Sequence, residues 1–177
     1  MLFYLFSGEQ LKEIFNRLEY DFEPSAIPRN VNYYLKRSSH GSTLSRLVYS
    51  WVVSRSDRER SWKAFQESLK SDFEDIQGGT TSEGIHLGAM AGTVDIVQRC
   101  YTGLEIRDGV LWINPRLPRE LQSLKMRIRY RGHWIHFLFN HKIVEVTFEA
   151  GWSPKVEIGF RGKVYTFGEG DRKTFSL

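Results

Sequence analysis

Lys125-Met126-Arg127-Ile128-Arg129-Tyr130-Arg131 places a basic residue at every odd position and an apolar or aromatic one at every even position. Successive side chains of a strand point to opposite faces, so this alternation predicts a β-strand with one wet face. Gly132 ends it, and Trp134 to Phe139 follows as a second apolar and aromatic run. Moving outward, the pattern of short runs and turns repeats. Leu104 to Arg107 and Val110 to Ile113 flank Asp108-Gly109, and Asn140-His141 turns the chain into Lys142 to Glu149. Val156 to Phe160 and Lys163 to Phe167 flank Arg161-Gly162, a two-residue hairpin connection. Residues 103–177 therefore read as an antiparallel sheet packed as part of a β-sandwich.

Upstream the period changes. Leu11, Ile14, Phe15 and Leu18, and then Trp62, Phe65, Leu69 and Phe73, recur at three- and four-residue intervals, so residues 1–102 read as helices. Helix starts are signalled by Ser7 before Gly8, Ser42 before Leu44 to Val53, Asp57 before Arg58 to Ile76, and Ser82 before a stretch through Tyr101. Pro24 and Pro28 break the first helical region into a loop, and Gly78-Gly79 ends the fourth helix. Met1-Leu2-Phe3-Tyr4-Leu5-Phe6 enters directly on an apolar helix face without a cap, as if its helix began upstream. The fold class is α+β, helices first.

Composition narrows the function classes. A chain of 177 residues is long enough for a proper core without covalent staples, and the lone Cys100 can form neither an internal disulfide nor a cysteine-based zinc site. The longest apolar runs, Met1 to Phe6 and Leu47 to Val53, fall far below the ~20 residues that span a bilayer. The first segment also lacks the basic leader and cleavage pattern of a signal peptide, so a cytoplasmic protein without membrane contact is expected. Residues 107–136 hold seven Lys or Arg against Asp108 and Glu120. A basic stripe can bind nucleic acid, but interleaved stacking aromatics are missing from that strand face, and an ordinary solvated face is the preferred reading.

Three segments stand out for chemistry. The turn Arg37-Ser38-Ser39-His40-Gly41-Ser42-Thr43-Leu44-Ser45 feeds a helix start rich in hydroxyls and free backbone N–H groups, which suits an oxyanion or phosphate, although on composition alone a cap with surplus serines is the preferred reading. In Gly78 to Gly92, glycines at 84, 88 and 92 are costly in a helix, and their spacing predicts tight packing against a neighbour. Glu83 and His86, three apart, would share a helix face as an acid/base pair, metal ligands or a buried hydrogen-bonded couple; with no third ligand nearby, no metal is expected. The third, Asp108 to Pro118, closes a strand with a rigid Pro115-Arg116-Leu117-Pro118 connector. Phosphate-loop, dinucleotide and nucleophile-elbow motifs are absent.

Taken in order, Ser39 to Ser45, Thr80 to Thr93, Asp108 to Pro118 and Ile128 to Gly132 resemble the C-terminal part of glycoside hydrolase family 65, the inverting phosphorylases of α-glucosides such as maltose, trehalose and kojibiose. The likeness runs nearly to residue 150. It implies that residues 1–102 are part of an (α/α)6 barrel and residues 103–177 the C-terminal antiparallel β-sandwich. It also implies that the His-x-Ser-Ser/Thr turn, here His40, Gly41, Ser42 and Thr43, contributes phosphate contacts, with Glu83 and His86 at the rim of the active site. The family's general acid, a glutamate in mid-barrel, and its Lys-Gln-Ala-Asp segment both lie upstream of every matching stretch.

Inverting phosphorolysis needs a protonated carboxyl on the leaving oxygen and a phosphate on the opposite face of the sugar. Half a barrel holds neither in register. The expectation is a polypeptide inactive alone, with no cofactor beyond inorganic phosphate as co-substrate. It would meet an α-linked glucose disaccharide only after self-association or docking to a separately encoded N-terminal barrel part. The alternative is a non-catalytic carbohydrate- or partner-binding module that uses Trp112, Trp134 and Trp152 as exposed platforms; nucleic-acid binding ranks last.

Overall fold

A computed structural model of the chain describes residues 2–39, 42–54, 56–75, 78–79, 82 and 84–177. Two compact units, residues 1–94 and 95–177, divide it. The first carries helices α1 (Leu2–Leu5), α2 (Gly8–Arg17), α3 (Ala26–Leu35), α4 (Thr43–Val53) and α5 (Arg58–Lys70), followed by α6 (Leu87–Asp95). A widened π-helical turn, Ile96–Tyr101, continues from α6. No helix among the described residues is long and apolar enough to cross a membrane.

Two helix starts follow the sequence closely. Ser7 and Gln10 form a reciprocal capping box on α2, and the Asp57 carboxylate accepts the Arg60 N–H at the start of α5, so each satisfies a backbone donor that the helix itself leaves free. Pro28 does not break a helix as expected. It stands third in α3, in the first turn, where its missing N–H costs no intrahelical bond. The helix after Asp57 ends at Lys70, not Ile76, and Phe73 is 88% exposed rather than on the buried stripe.

Between α4 and α5 the core is mixed. Leu47, Trp51 and Phe65 are buried, while the Ser50 hydroxyl, also buried, donates to the Ser61 carbonyl at 2.8 Å and so holds the two helices in register without an unpaired group. The expected glycine stripe is real at one position only. A Cβ on Gly92 would lie 2.4 and 2.7 Å from the methyls of Leu47, which is fully buried, so α6 approaches α4 as closely as a helix can. Gly88 has open space, and Gly84 lies outside the helix at φ +119°.

The second unit is built from two four-stranded sheets. One has the order β1 (Glu105–Arg107), β2 (Val110–Ile113), β6 (Val156–Phe160), β7 (Lys163–Phe167); the other has β3 (Ser123–Tyr130), β4 (His133–Asn140), β5 (Ile143–Phe148), β8 (Arg172–Ser176). Every pairing is antiparallel except β2–β6, which is parallel and joins the two hairpins of the first sheet. Three hairpins close through two-residue turns with both residues left-handed: Asp108-Gly109, Arg131-Gly132 and Arg161-Gly162. That backbone twist matches the twist of the flanking strands.

β3 alternates as its sequence dictates. Leu124, Met126 and Ile128 pack against a cluster of fifteen buried residues drawn from both sheets, while Lys125, Arg127 and Arg129 are exposed. Phe148 stacks on Phe167 and Phe160 lies against Phe175, each pair linking one sheet to the other at ring separations of 5.0 and 4.8 Å. Strand β8 was not expected, because Arg172-Lys173-Thr174-Phe175-Ser176 buries only Phe175 and carries almost no apolar alternation.

Candidate functional site

α4 begins at the serine-rich turn. Ser42 holds the N-cap position with extended backbone, φ −138° and ψ 143°, and its side chain makes no capping bond. Its carbonyl instead accepts from the Ser45 hydroxyl at 2.7 Å and from the Ser45 N–H at 3.1 Å. The first turn of α4 contains no acidic side chain, so the positive end of this eleven-residue helix is not offset by a carboxylate of its own. Thr43 is buried. His40 and Gly41, the other half of the anticipated phosphate turn, lie outside the described residues, as does Glu83.

His86 sits differently from its expected place on a helix face. Residues 84–86 are not helical, and α6 starts only at Leu87, where the His86 carbonyl accepts the N–H groups of Ala89 and Met90. The side chain is held by a residue outside the three segments singled out in the sequence. Asp72, on the turn after α5, accepts the His86 backbone N–H through Oδ2 at 3.1 Å and faces His86 Nδ1 through Oδ1 at 2.5 Å. Its carboxylate is nearly buried, whereas the imidazole is about a third exposed.

A carboxylate against Nδ1 assigns the proton to that nitrogen, so Nε2 carries the ring's lone pair. Such a ring accepts a proton or a hydrogen bond at Nε2, and once protonated it becomes a donor able to meet an anion. Nothing in the spacing pointed to this pair: Asp72 and His86 are far apart in sequence with several glycines between them, and Asp72 stands among other charged residues. Among the described residues no group of three or more His, Cys, Asp or Glu could hold a metal ion.

On the basic strand face Arg127 has an acidic partner. Glu149 meets Arg127 at 2.8 Å and His136 Nε2 at 2.5 Å. The His136 hydrogen bond is the largest influence, and together with the lesser hydrogen bond and charge of Arg127 it overcomes desolvation and holds the Glu149 carboxyl below its ordinary value. The three tryptophans behave differently from one another. Trp112 lies on Gly159, where a Cβ would come within 2.3 Å of the indole, so it is packed rather than a platform. Trp134 is partly covered by the Arg127 guanidinium 4.0 Å above its ring, and Trp152 is fully exposed.

With helices and sheets in this order, comparison with known proteins becomes specific. Residues 1–95 match the glycosyl hydrolase family 65 central catalytic domain, and residues 104–167 match the glycosyl hydrolase family 65 C-terminal domain. The chain belongs to glycosyl hydrolase family 65. An uncharacterized glycosyl hydrolase of Mycobacterium tuberculosis is 44% identical over 164 residues, which is 93% of this chain and 12% of that protein. Trehalose 6-phosphate phosphorylase of Lactococcus lactis is 34% identical over 88% of this chain and 20% of its own length. A solved structure of a human-microbiome protein named for kojibiose phosphorylase shares the fold, with a TM-score of 0.74 at 21% identity over 95% of this chain and 22% of that one. The chain thus spans about a fifth or less of the relatives it matches.

Proposed function

We propose that this chain is the C-terminal segment of a family 65 α-glucoside phosphorylase or hydrolase, carrying the last part of an (α/α)6 barrel and the β-sandwich that follows it. In this reading the turn at His40, Gly41, Ser42 and Thr43 supplies phosphate contacts, and Glu83 and His86 stand at the rim. The observation that supports the reading is the Asp72–His86 pair beside a consecutive match to both family domains: a carboxylate holds the ring at Nδ1, and Nε2 meets an anion as a donor only in the protonated ring. In the reaction, a phosphate oxygen attacks the anomeric carbon and the glycosidic bond breaks. The proton for the leaving oxygen comes from an acid outside these residues.

The described residues of the helical unit also leave many apolar side chains in water, among them Tyr20, Tyr34, Phe73, Ile85 and Leu87. Large exposed apolar surface favours association, either with the remainder of the barrel or with a second copy. The 177-residue chain, assayed with maltose, trehalose and kojibiose with and without phosphate, is expected to release no glucose 1-phosphate or glucose. Supplying the N-terminal remainder of a family 65 barrel should restore cleavage, and His86→Ala should then depress it at low phosphate more than at saturating phosphate. Turnover by the chain alone, or an assembled enzyme indifferent to His86→Ala, would overturn the proposal.

A second reading, a non-catalytic carbohydrate- or partner-binding sandwich, draws on the full exposure of Trp152. It requires tryptophan fluorescence to respond to oligosaccharides, with the response lost in Trp152→Ala.

A further inference from the structure

β5 belongs to one sheet and β6 to the other, so residues 149–155 carry the chain from sheet to sheet. This crossover also bears the fully exposed Trp152. Two contacts pin it to the β3–β4 hairpin. Gly132 comes so near that a Cβ there would lie 2.5 Å from the Ser153 hydroxyl oxygen, and His133 Nε2 lies 2.7 Å from the Pro154 carbonyl oxygen. A carbonyl only accepts, so Nε2 carries the ring proton and Nδ1 a bare lone pair.

His133 is 2% exposed, and its Nδ1 has no hydrogen-bond partner among the described residues. Tyr130 stands directly opposite on β3, with its hydroxyl donating to the Gly109 carbonyl. Phe148 on β5 meets the imidazole edge to face at a centroid separation of 5.3 Å and is itself stacked on Phe167 of β7. The charged side chains of the hairpin and of the crossover's head have other neighbours: the Arg131 guanidinium lies 5.5 Å from the Tyr130 ring centroid, and Glu149 turns its carboxylate to Arg127 and His136. A neutral ring strands only a lone pair in this apolar setting. A second proton would strand an N–H and a positive charge there without an acceptor, a far larger cost.

We propose that His133 is a proton-sensitive latch on the sheet-to-sheet crossover, closed while its ring is neutral and released when the ring takes a second proton. The closed form binds one proton fewer than an open form in which water reaches Nδ1, so acidification favours opening. Opening frees Ser153 and Pro154 from the hairpin and with them the pinned position of Trp152. His136, three residues along the same strand, responds in the opposite sense: on the exposed face, beside Glu149, a gained positive charge tightens its pair. All of these residues belong to the 95–177 unit, so the latch stands or falls independently of the His86 reading.

The test is a pH titration by NMR of the isotope-labelled 177-residue chain, from about pH 7.5 to about pH 5, which brackets the range where histidines ordinarily change charge. At the upper end the imidazole nitrogen-15 signals should show His133 protonated at Nε2 alone. Hydrogen exchange at Gly151, Trp152, Ser153 and Lys155, corrected for its intrinsic pH dependence, reads the open-to-closed ratio. That ratio should be flat at the upper end and rise about ten-fold per pH unit at the lower, as one linked proton requires. His133→Gln, whose side-chain amide can still donate to the Pro154 carbonyl but cannot gain a proton, should abolish the rise. His136→Gln should leave it in place. If His133→Gln fails to fold, the unsubstituted chain decides: opening that coincides with protonation of the His133 ring supports the latch, and a ring that gains its proton while Ser153 and Lys155 stay protected overturns it. A proton on Nδ1 at the upper end, a crossover unmoved across the range, or a rise that survives His133→Gln or vanishes in His136→Gln would each dispose of the proposal.

Discussion

Asp72 spends both carboxylate oxygens on one residue, the backbone N–H and the Nδ1 of His86, so a change at Asp72 is felt first in the imidazole. Asp72→Asn keeps the volume but replaces one acceptor by an amide. We expect the ring to lose its fixed tautomer and the helical unit to lose about 1–3 kcal/mol, because a nearly buried hydrogen-bonding site becomes mismatched. Nitrogen-15 shifts of the imidazole and urea unfolding report the two effects separately, and an unchanged tautomer in the variant would count against the pairing. Glu149 gives a pH prediction of definite sign. Its folded-state pKa lies below the ordinary value of 4.5, so the stabilisation is fully present above that value and is lost as pH falls through the lowered one. His136→Ala should move the carboxyl titration, read by carbon-13 NMR, back upward. The effect on overall stability should be slight, since both side chains are exposed and screened.

At the scale of elements, the β3–β4 hairpin offers two substitutions of opposite sign. Gly132 has φ +87°, and a Cβ there would lie 2.5 Å from the Ser153 hydroxyl oxygen. Gly132→Ala should therefore cost about 1–2 kcal/mol, the scale of a left-handed L-residue. Arg131, at φ +47°, already occupies such a position with a long side chain, and Arg131→Asn should gain a few tenths of a kcal/mol, up to about 1, by supplying the residue that Asn-Gly turns favour. Chemical denaturation checks both, and a stabilised Gly132→Ala would contradict the turn geometry. These turns were legible in the sequence because Asp108-Gly109, Gly132 and Arg161-Gly162 separate runs of clear period, and the caps Ser7 and Asp57 were legible for a similar local reason. What local pattern could not show was set by distant contacts. Ser82 looked like a helix start, yet the backbone turns through Gly84 and ties His86 to Asp72 before α6 begins at Leu87. Phe73 fitted a helical stripe, but its helix stops at Lys70. Asp72 itself had no signature, since its partner is fourteen residues away.

Across the whole molecule the two units are unequal in core. The sheet unit gathers fifteen buried residues in a single cluster. The described residues of the helical unit bury Leu47, Trp51, Phe65 and a few others, while Phe73, Ile85 and Leu87 are more than two-thirds exposed. Burial of a large apolar side chain contributes roughly 1.5–3 kcal/mol, so the helical unit has much less to set against its chain entropy. We therefore expect the isolated chain to unfold in two steps, the helical far-ultraviolet signal disappearing at lower urea while the amides of β3, β4 and β5 stay protected from hydrogen exchange. Two variants test whether the steps belong to the units named. Gly92→Ala drives a Cβ into the buried methyls of Leu47, and this overpacking, about 1–3 kcal/mol, outweighs the roughly 1 kcal/mol that alanine gains over glycine in a helix. It should lower only the first midpoint. Gly132→Ala should lower only the second. A single transition shared by helical signal and strand amides, or both midpoints moving together in either variant, would mean that the sheet unit cannot hold its core without the helices.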